Sequence, residues 1–364
     1  MVIEQSMHTH QENSSPTQKL WQWLIGLAVS LTALVIALWN VNLSAMGQAL
    51  QQANYWYLLP ACGFLGIWLL TRALIWRTVL GQHLPYWRVF EAIMAGYLLS
   101  NVLPLRLGEV GRAYFISRPG DVKAGAALSA VLVERVLDML WILGLAAAFL
   151  PLVVSLPTVQ AAAIALAIVC FIALGSLTVI AHNRTAALRL INWTLCQAQR
   201  RLPLNAATWE KRLTPFLDGL AVLQDARRAS QVLFWGAISW SASGLFAWML
   251  LRSFVATATV PMGFFVLVMV GLGIAAPSLP GYVGVYEAAV VLALSLFKVE
   301  ANTAATYAVL HHGLTFGVTC ILGGIALSRS GESLTHLAGA ARTLLLSRTA
   351  NPPPPNNLSD NTSR

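Results

Sequence analysis

Apolar stretches about as long as a bilayer is thick recur along this chain, and they leave few choices of fold. Residues 21–39, 55–76, 124–150, 158–181, 230–251 and 302–328 are each long enough to cross a membrane, since a hydrocarbon core of ~30 Å needs ~20 apolar residues in a helix. In lipid every backbone N–H and C=O must be paired within the structure, so these runs are expected to be helices. Only 10% of the 364 residues are charged and 57% are hydrophobic, with a mean hydropathy of +0.67. No soluble domain of this size sustains that balance, and the expected fold is an all-α polytopic membrane protein.

The formal charge of +9 would suggest nucleic acid as the partner of a soluble protein. Here the basic residues concentrate between apolar runs, as in cytoplasmic loops, and nucleic acid is set aside. Cys62, Cys170, Cys196 and Cys320 stand singly with no CxxC spacing, so neither a zinc site nor a disulfide framework is expected. Residues 1–20 read as a polar tail and 21–328 as one membrane domain. The first span is longer than the apolar part of a secretory signal, which predicts a retained helix. Residues 329–364, with prolines at 352–355, read as a disordered tail.

Three apolar runs are too short for a full crossing: 89–103, 262–276 and 285–297. The first ends in NVLPLRLGEVGR at 101–112, where Pro104 and Gly108 stand among Arg106, Glu109 and Arg112. Broken backbone and ionisable side chains at membrane depth are tolerated only where protein or a water-filled cavity satisfies them. If 89–103 crossed fully, the loop 182–229, with eight basic and three acidic residues, would lie outside, against the positive-inside rule. A segment that dips in and returns removes the conflict. It places both termini and the basic loop in the cytoplasm, and makes 262–297 a second re-entrant hairpin entering from the outer face.

The expected architecture is then about six full spans plus two oppositely oriented hairpins, a layout found in inverted-repeat transporters. The hairpin tips share a pattern: LPLRLG at 103–108 and LPGYVG at 279–284 both read L-P-x-x-[LV]-G, followed by Glu109 and Glu287. Leucines and a phenylalanine at 213, 216, 217, 220 and 223 recur at helical spacing, which fits either a helix on the membrane surface or one packed on the other helices.

In the run from 124, ERVLD places Glu134, Arg135 and Asp138 in apolar surroundings. Spacing lets Arg135 reach Asp138 while Glu134 and Asp138 share a face. An internal salt bridge is one reading. The other pairs this cluster with the first hairpin, so that Arg106 and Arg112, with Asn101 and Arg135, bind an anionic headgroup while Glu109, Glu134 and Asp138 keep the empty site neutral. Arginine suits that role because its planar fork takes phosphate oxygens bidentately and stays charged. Arg72 and Arg77 mark where the second span leaves the membrane; snorkelling to headgroups is favoured there, with a buried role as the alternative. Glu287, with no charged neighbour within five residues, reads either as a buried carboxyl without a partner and a candidate proton carrier or as a hydrogen-bonded structural carboxyl. His311 and His312 read as packed, hydrogen-bonded residues, and no metal or cofactor is expected.

Three blocks, NVLPLRLGEVGRAYFI at 101–116, ALSAVLVERVLD at 127–138 and LPGYVGVYEAAV at 279–290, resemble the lysylphosphatidylglycerol synthase transmembrane family of flippase-like membrane proteins. The matching positions are Pro104, Arg106, Gly108, Glu109 and Arg112; Glu134, Arg135 and Asp138; then Pro280, Gly281, Gly284 and Glu287. The resemblance implies a domain that moves lipid between leaflets of the bacterial cytoplasmic membrane. In the family's larger enzymes a separate soluble domain attaches the amino acid; no counterpart is read in this sequence, so a stand-alone translocase is expected. Its partners would be a membrane lipid as substrate and a separate lipid-synthesising enzyme. An integral membrane transferase using Glu134 and Asp138, or a scaffold for envelope lipid synthesis, are the competing expectations; no nucleotide loop or Ser/His/Asp arrangement speaks for the enzyme.

Overall fold

In the computed structural model, residues 27–37, 41–81, 83–103, 107–118, 122–153, 157–199, 219–275, 278–337 and 339 are described. Among them the regular structure is entirely helical, with no strand. Among the described residues five helices are long and apolar enough to cross a membrane: Tyr55–Leu80, Ala124–Val153, Gln160–His182, Ala226–Arg252 and Ala301–Ser330. Of the expected first span only Leu27–Ala37 lies within the described residues.

The helices are α1 (Leu27–Ala37), α2 (Leu43–Gln52), α3 (Leu58–Leu80), α4 (Tyr86–Val102), α5 (Leu107–Ser117), α6 (Ala124–Val153), α7 (Pro157–His182) and α8 (Arg184–Gln199). They continue with α9 (Ala226–Arg252), α10 (Val260–Gly273), α11 (Val285–Ser295) and α12 (Ala301–Ser330). Local chemistry sets many of the ends. Asp225 caps α9 by accepting from the N–H groups of Arg227 and Arg228, and Glu300 caps α12 through those of Asn302 and Thr303. Gly81 and Gly331 end α3 and α12 in the left-handed conformation that L side chains avoid.

Helix α3 lies along α9, α4 packs on both α5 and α12, and α10 fills the space between α6, α9 and α11. Since lipid tails are as apolar as the helices themselves, such contacts depend on close fit and small residues rather than on escape from water. A Cβ on Gly108 would meet the Gly96 carbonyl oxygen and Ser100, and one on Gly323 would stand 2.5 Å from the Met94 carbonyl oxygen and the Leu98 Cβ. These contacts thread α4 tightly between α5 and α12. By contrast α7 packs chiefly on α6 and leaves Ile164, Ile168, Phe171 and Val179 exposed, the surface expected of a span facing lipid.

The basic loop is partly a continuation of helix. Chain between α7 and α9 includes α8, then residues 200–218 outside the described set, then a 3-10 turn at Leu220–Leu223. Leu220 and Leu223 are buried against Val133 and Leu137, so for these two the packing alternative holds. Leu213, Phe216 and Leu217 lie outside the described residues.

Candidate functional site

The link after α4 contains Pro104, Leu105 and Arg106, which lie outside the described residues. On either side of it α4 and α5 run antiparallel: Ser100 sits beside Gly108, Leu99 beside Gly111 and Gly96 beside Arg112. This close packing fixes Arg112 with its guanidinium carbon 4.9 Å from the centroid of the Trp76 ring, a cation–π contact. Arg112 is 3% exposed.

Helix α6 supplies the acids. Glu134, 1% exposed, ion-pairs with Arg112 Nη2 at 2.8 Å, with Arg72, and with Arg135 at 3.4 Å. Asp138 takes the two terminal nitrogens of Arg72 at 2.6 and 2.8 Å, the bidentate fork that carboxylates favour. Arg135 adds a 3.3 Å contact to Asp138 and a 3.7 Å contact to Glu109. Glu134 and Asp138 share a face as the spacing predicts, because both hold Arg72. Among the described residues this network balances three arginines against three carboxylates.

Arg72 itself requires a correction. Read as a snorkelling residue at the end of its span, it is 4% exposed and stands at the centre of the ion-pair network. The signal was its depth: it precedes the helix end at Leu80 by eight positions, about 12 Å at 1.5 Å per residue. Arg77, nearer the end, donates instead to the Leu84 carbonyl at 2.7 Å.

The second break is built differently. After α10 the chain turns through Pro280–Tyr282, with φ of 68° at Gly281, 60° at Tyr282 and 88° at Gly284. The turn packs on α4, where a Cβ on Gly281 would lie 3.3 Å from the Asn101 carbonyl oxygen. The second block therefore packs against the end of α4 that leads into the first. Asn101 also donates from its side chain to Thr319 Oγ1 at 3.0 Å, tying α4 to α12.

Glu287 is not the partnerless carboxyl that its sequence neighbourhood suggests. Oε2 accepts from the Gly284 N–H at 2.6 Å, and Oε1 lies 2.6 Å from His312 Nδ1. The partner comes from α12, 25 residues away, where a window of five residues could not find it. Beside it, the Tyr286 hydroxyl lies 2.7 Å from His311 Nδ1. Both histidines are thus packed and hydrogen-bonded as expected.

A cavity of about 260 Å³ joins the two breaks. Its charged wall is Arg72, Glu109, Arg112, Arg135 and Asp138, and its facing wall includes Tyr286, His311 and His312. Asn101 and Gly108 border it as well. Nε and Nη1 of Arg112 are buried with no hydrogen-bond partner among the described residues.

The family described as Lysylphosphatidylglycerol synthase TM region matches residues 23–323, a stretch that holds every group just named. The chain belongs to this family, and it is an integral membrane protein. It is also similar to a curated UPF0104 membrane protein of Methanocaldococcus jannaschii, 36% identical over 62 residues, which cover 16% of this chain and 18% of that relative. The family blocks read from sequence thus include most residues that line the cavity's charged wall. They omit Arg72, Trp76 and the two histidines, which stand outside the blocks and join them only through helix packing.

Proposed function

We propose that this lysylphosphatidylglycerol synthase-type membrane domain is a lipid translocase. An anionic or polyprenyl-type headgroup crosses through the cavity between the two breaks while its hydrocarbon chains stay in the bilayer. The observation that carries this reading is Arg112. Arg72 commits both terminal nitrogens to Asp138 and Glu134, whereas Arg112, which lines the cavity, has both Nε and Nη1 buried without a hydrogen-bond partner among the described residues, where Arg72 and Arg135 leave only Nε so. A buried donor left without a partner costs about 1–3 kcal/mol, and phosphate oxygens would remove that cost.

Charge and dipole favour the same ligand. The described network is neutral, and Arg106, directly before α5 in sequence, adds a fourth guanidinium to attract an anion. Helix α5 begins at the break, and the N–H groups of a helix start favour phosphate. Transport of this kind makes and breaks no covalent bond and uses no cofactor.

The same reading takes α4–α5 and α10–α11 as re-entrant hairpins entering from opposite faces, in inverted-repeat fashion. The antiparallel packing of α4 on α5 and the contact of the Pro280–Tyr282 turn with the end of α4 support it. The membrane is the bacterial cytoplasmic one, with both termini and the basic loop on the cytoplasmic side, as positive-inside bias favours. A separate enzyme of lipid synthesis would deliver or receive the substrate.

Purified protein in liposomes containing fluorescently labelled phosphatidylglycerol should speed exchange between leaflets, read as label accessible to a membrane-impermeant quencher. Exchange no faster than in protein-free liposomes, for this probe and for a labelled polyprenyl phosphate alike, overturns the proposal.

A further inference from the structure

We infer that Glu287 and His312 form a proton-binding site loaded together with the headgroup, so that one proton accompanies each anionic lipid across the membrane. The inference rests on the translocase reading and adds its driving force.

Both side chains are buried, at 7% and 8% exposure, and the His312 ring stacks on Tyr286 with centroids 4.2 Å apart. His312 lies on the wall of the cavity that holds Arg112. Consecutive residues of α11, Tyr286 and Glu287, meet consecutive histidines of α12, so the contact has a fixed register. Phe246 of α9 stacks on His311 at 4.7 Å, which closes the apolar side of the group. The buried Nε2 of His311 has no partner among the described residues.

The ionisable groups around the pair are few. Helix α11 offers Tyr286, and α12 offers His311 and Tyr307. Tyr282 of the turn and Tyr97 of α4 border the cavity, and across it stand Arg72 of α3, Glu109 and Arg112 of α5, and Arg135 and Asp138 of α6. Helix α1, which touches Gly284 through Ser30 and Leu34, has no ionisable residue among its described positions, and neither does α10. Apart from His311, whose Nδ1 is engaged by the Tyr286 hydroxyl and whose ring lies on Phe246, no other carboxylate or imidazole among the described residues is placed to take the load on this side.

A 2.6 Å contact between imidazole and carboxylate holds one proton on Nδ1, which leaves the pair with a charge of −1. A second proton, taken from water onto Nε2, makes an imidazolium–carboxylate pair with no net charge. The empty pair would repel a phosphate in the shared cavity, and the loaded pair does not. By linkage each ligand then favours the other, and the two move in the same direction. The other oxygen of Glu287 caps α11 at Gly284, so the state of this carboxylate is felt at the turn.

A lock between α11 and α12 would need the same hydrogen bond but no second proton. His312→Gln separates these roles: the glutamine amide can still donate to Glu287 but cannot be charged. The test uses the full chain in liposomes with fluorescent phosphatidylglycerol, a pH difference of one unit and the membrane potential clamped. For wild type, the steady-state distribution should shift toward the leaflet on the less acidic side, up to about tenfold, the limit for one proton per lipid. In His312→Gln, and independently in Glu287→Gln, that ratio should return to one. A wild-type distribution indifferent to the gradient while the probe exchanges, or an undiminished shift in either variant, overturns the inference. If neither this probe nor a labelled polyprenyl phosphate moves in wild type, the translocase reading fails and this inference with it.

Discussion

The two broken helix pairs carry nearly the same motif, LPLRLG and LPGYVG, yet their glutamates live in different worlds. Glu109 of the first is about a third exposed and lies on the cavity wall 3.7 Å from Arg135, joining a network of full charges. Glu287 of the second is buried, folds back on its own helix start and meets a histidine. The motif is shared, and in the second block Gly281 and Gly284 carry the positive φ of the turn. The chemistry is decided by the neighbouring helix, α6 with its acids and α3 with Arg72 in one case, α12 with its histidines in the other.

That contrast can be broken experimentally, and the charged side should respond most. Arg72→Ala leaves Asp138 without its fork and Glu134 short of a partner, and removing one member of a buried pair costs about 3–5 kcal/mol. Thermal unfolding in detergent should show a large fall in Tm or no folded protein; a wild-type Tm would mean that the network contributes no stability. Arg112→Ala removes the guanidinium with open donors, while Glu134 keeps Arg72 and Arg135. Lipid exchange should fall to the protein-free rate with a smaller loss of Tm than Arg72→Ala, and undiminished exchange would remove Arg112 from the pathway.

On the second pair the expected effects are smaller. Gly281→Ala places a side chain at φ of 68°, 2.9 Å from Phe316, a conformation that costs an L residue about 1–2 kcal/mol. A Tm drop between those of Arg112→Ala and a surface variant is expected, and no drop would show that the turn is free to relax. Arg329→Ala is that surface variant: its 3.4 Å pair with Glu91 is largely exposed. Such pairs contribute about 0–1 kcal/mol, so Tm and exchange should stay within error of wild type.

Five of the six expected spans were legible in the sequence because apolar length is a local property. Helix ends at Leu80, Val153 and Arg252 fall four, three and one residues beyond the hydropathic runs. The acids of α6 were legible too, being charges where charge is expensive. Arg72 was not, because proximity to Arg77 made it resemble a membrane-edge residue. Neither was the partner of Glu287, because a hydrogen bond between α11 and α12 leaves no mark in the residues flanking either end. Charge shows where a membrane protein has a site, and only packing shows which charges belong together.

The most direct measurement is photo-crosslinking with phosphatidylglycerol that carries a photoactivatable group on its headgroup, in liposomes, with adducts mapped by mass spectrometry. Adducts on peptides from α5 and α6 around Arg112 and Arg135, lost in Arg112→Ala, are the expected result. Adducts confined to the lipid-facing side of α7, with the same pattern in Arg112→Ala, would contradict a headgroup path through the cavity.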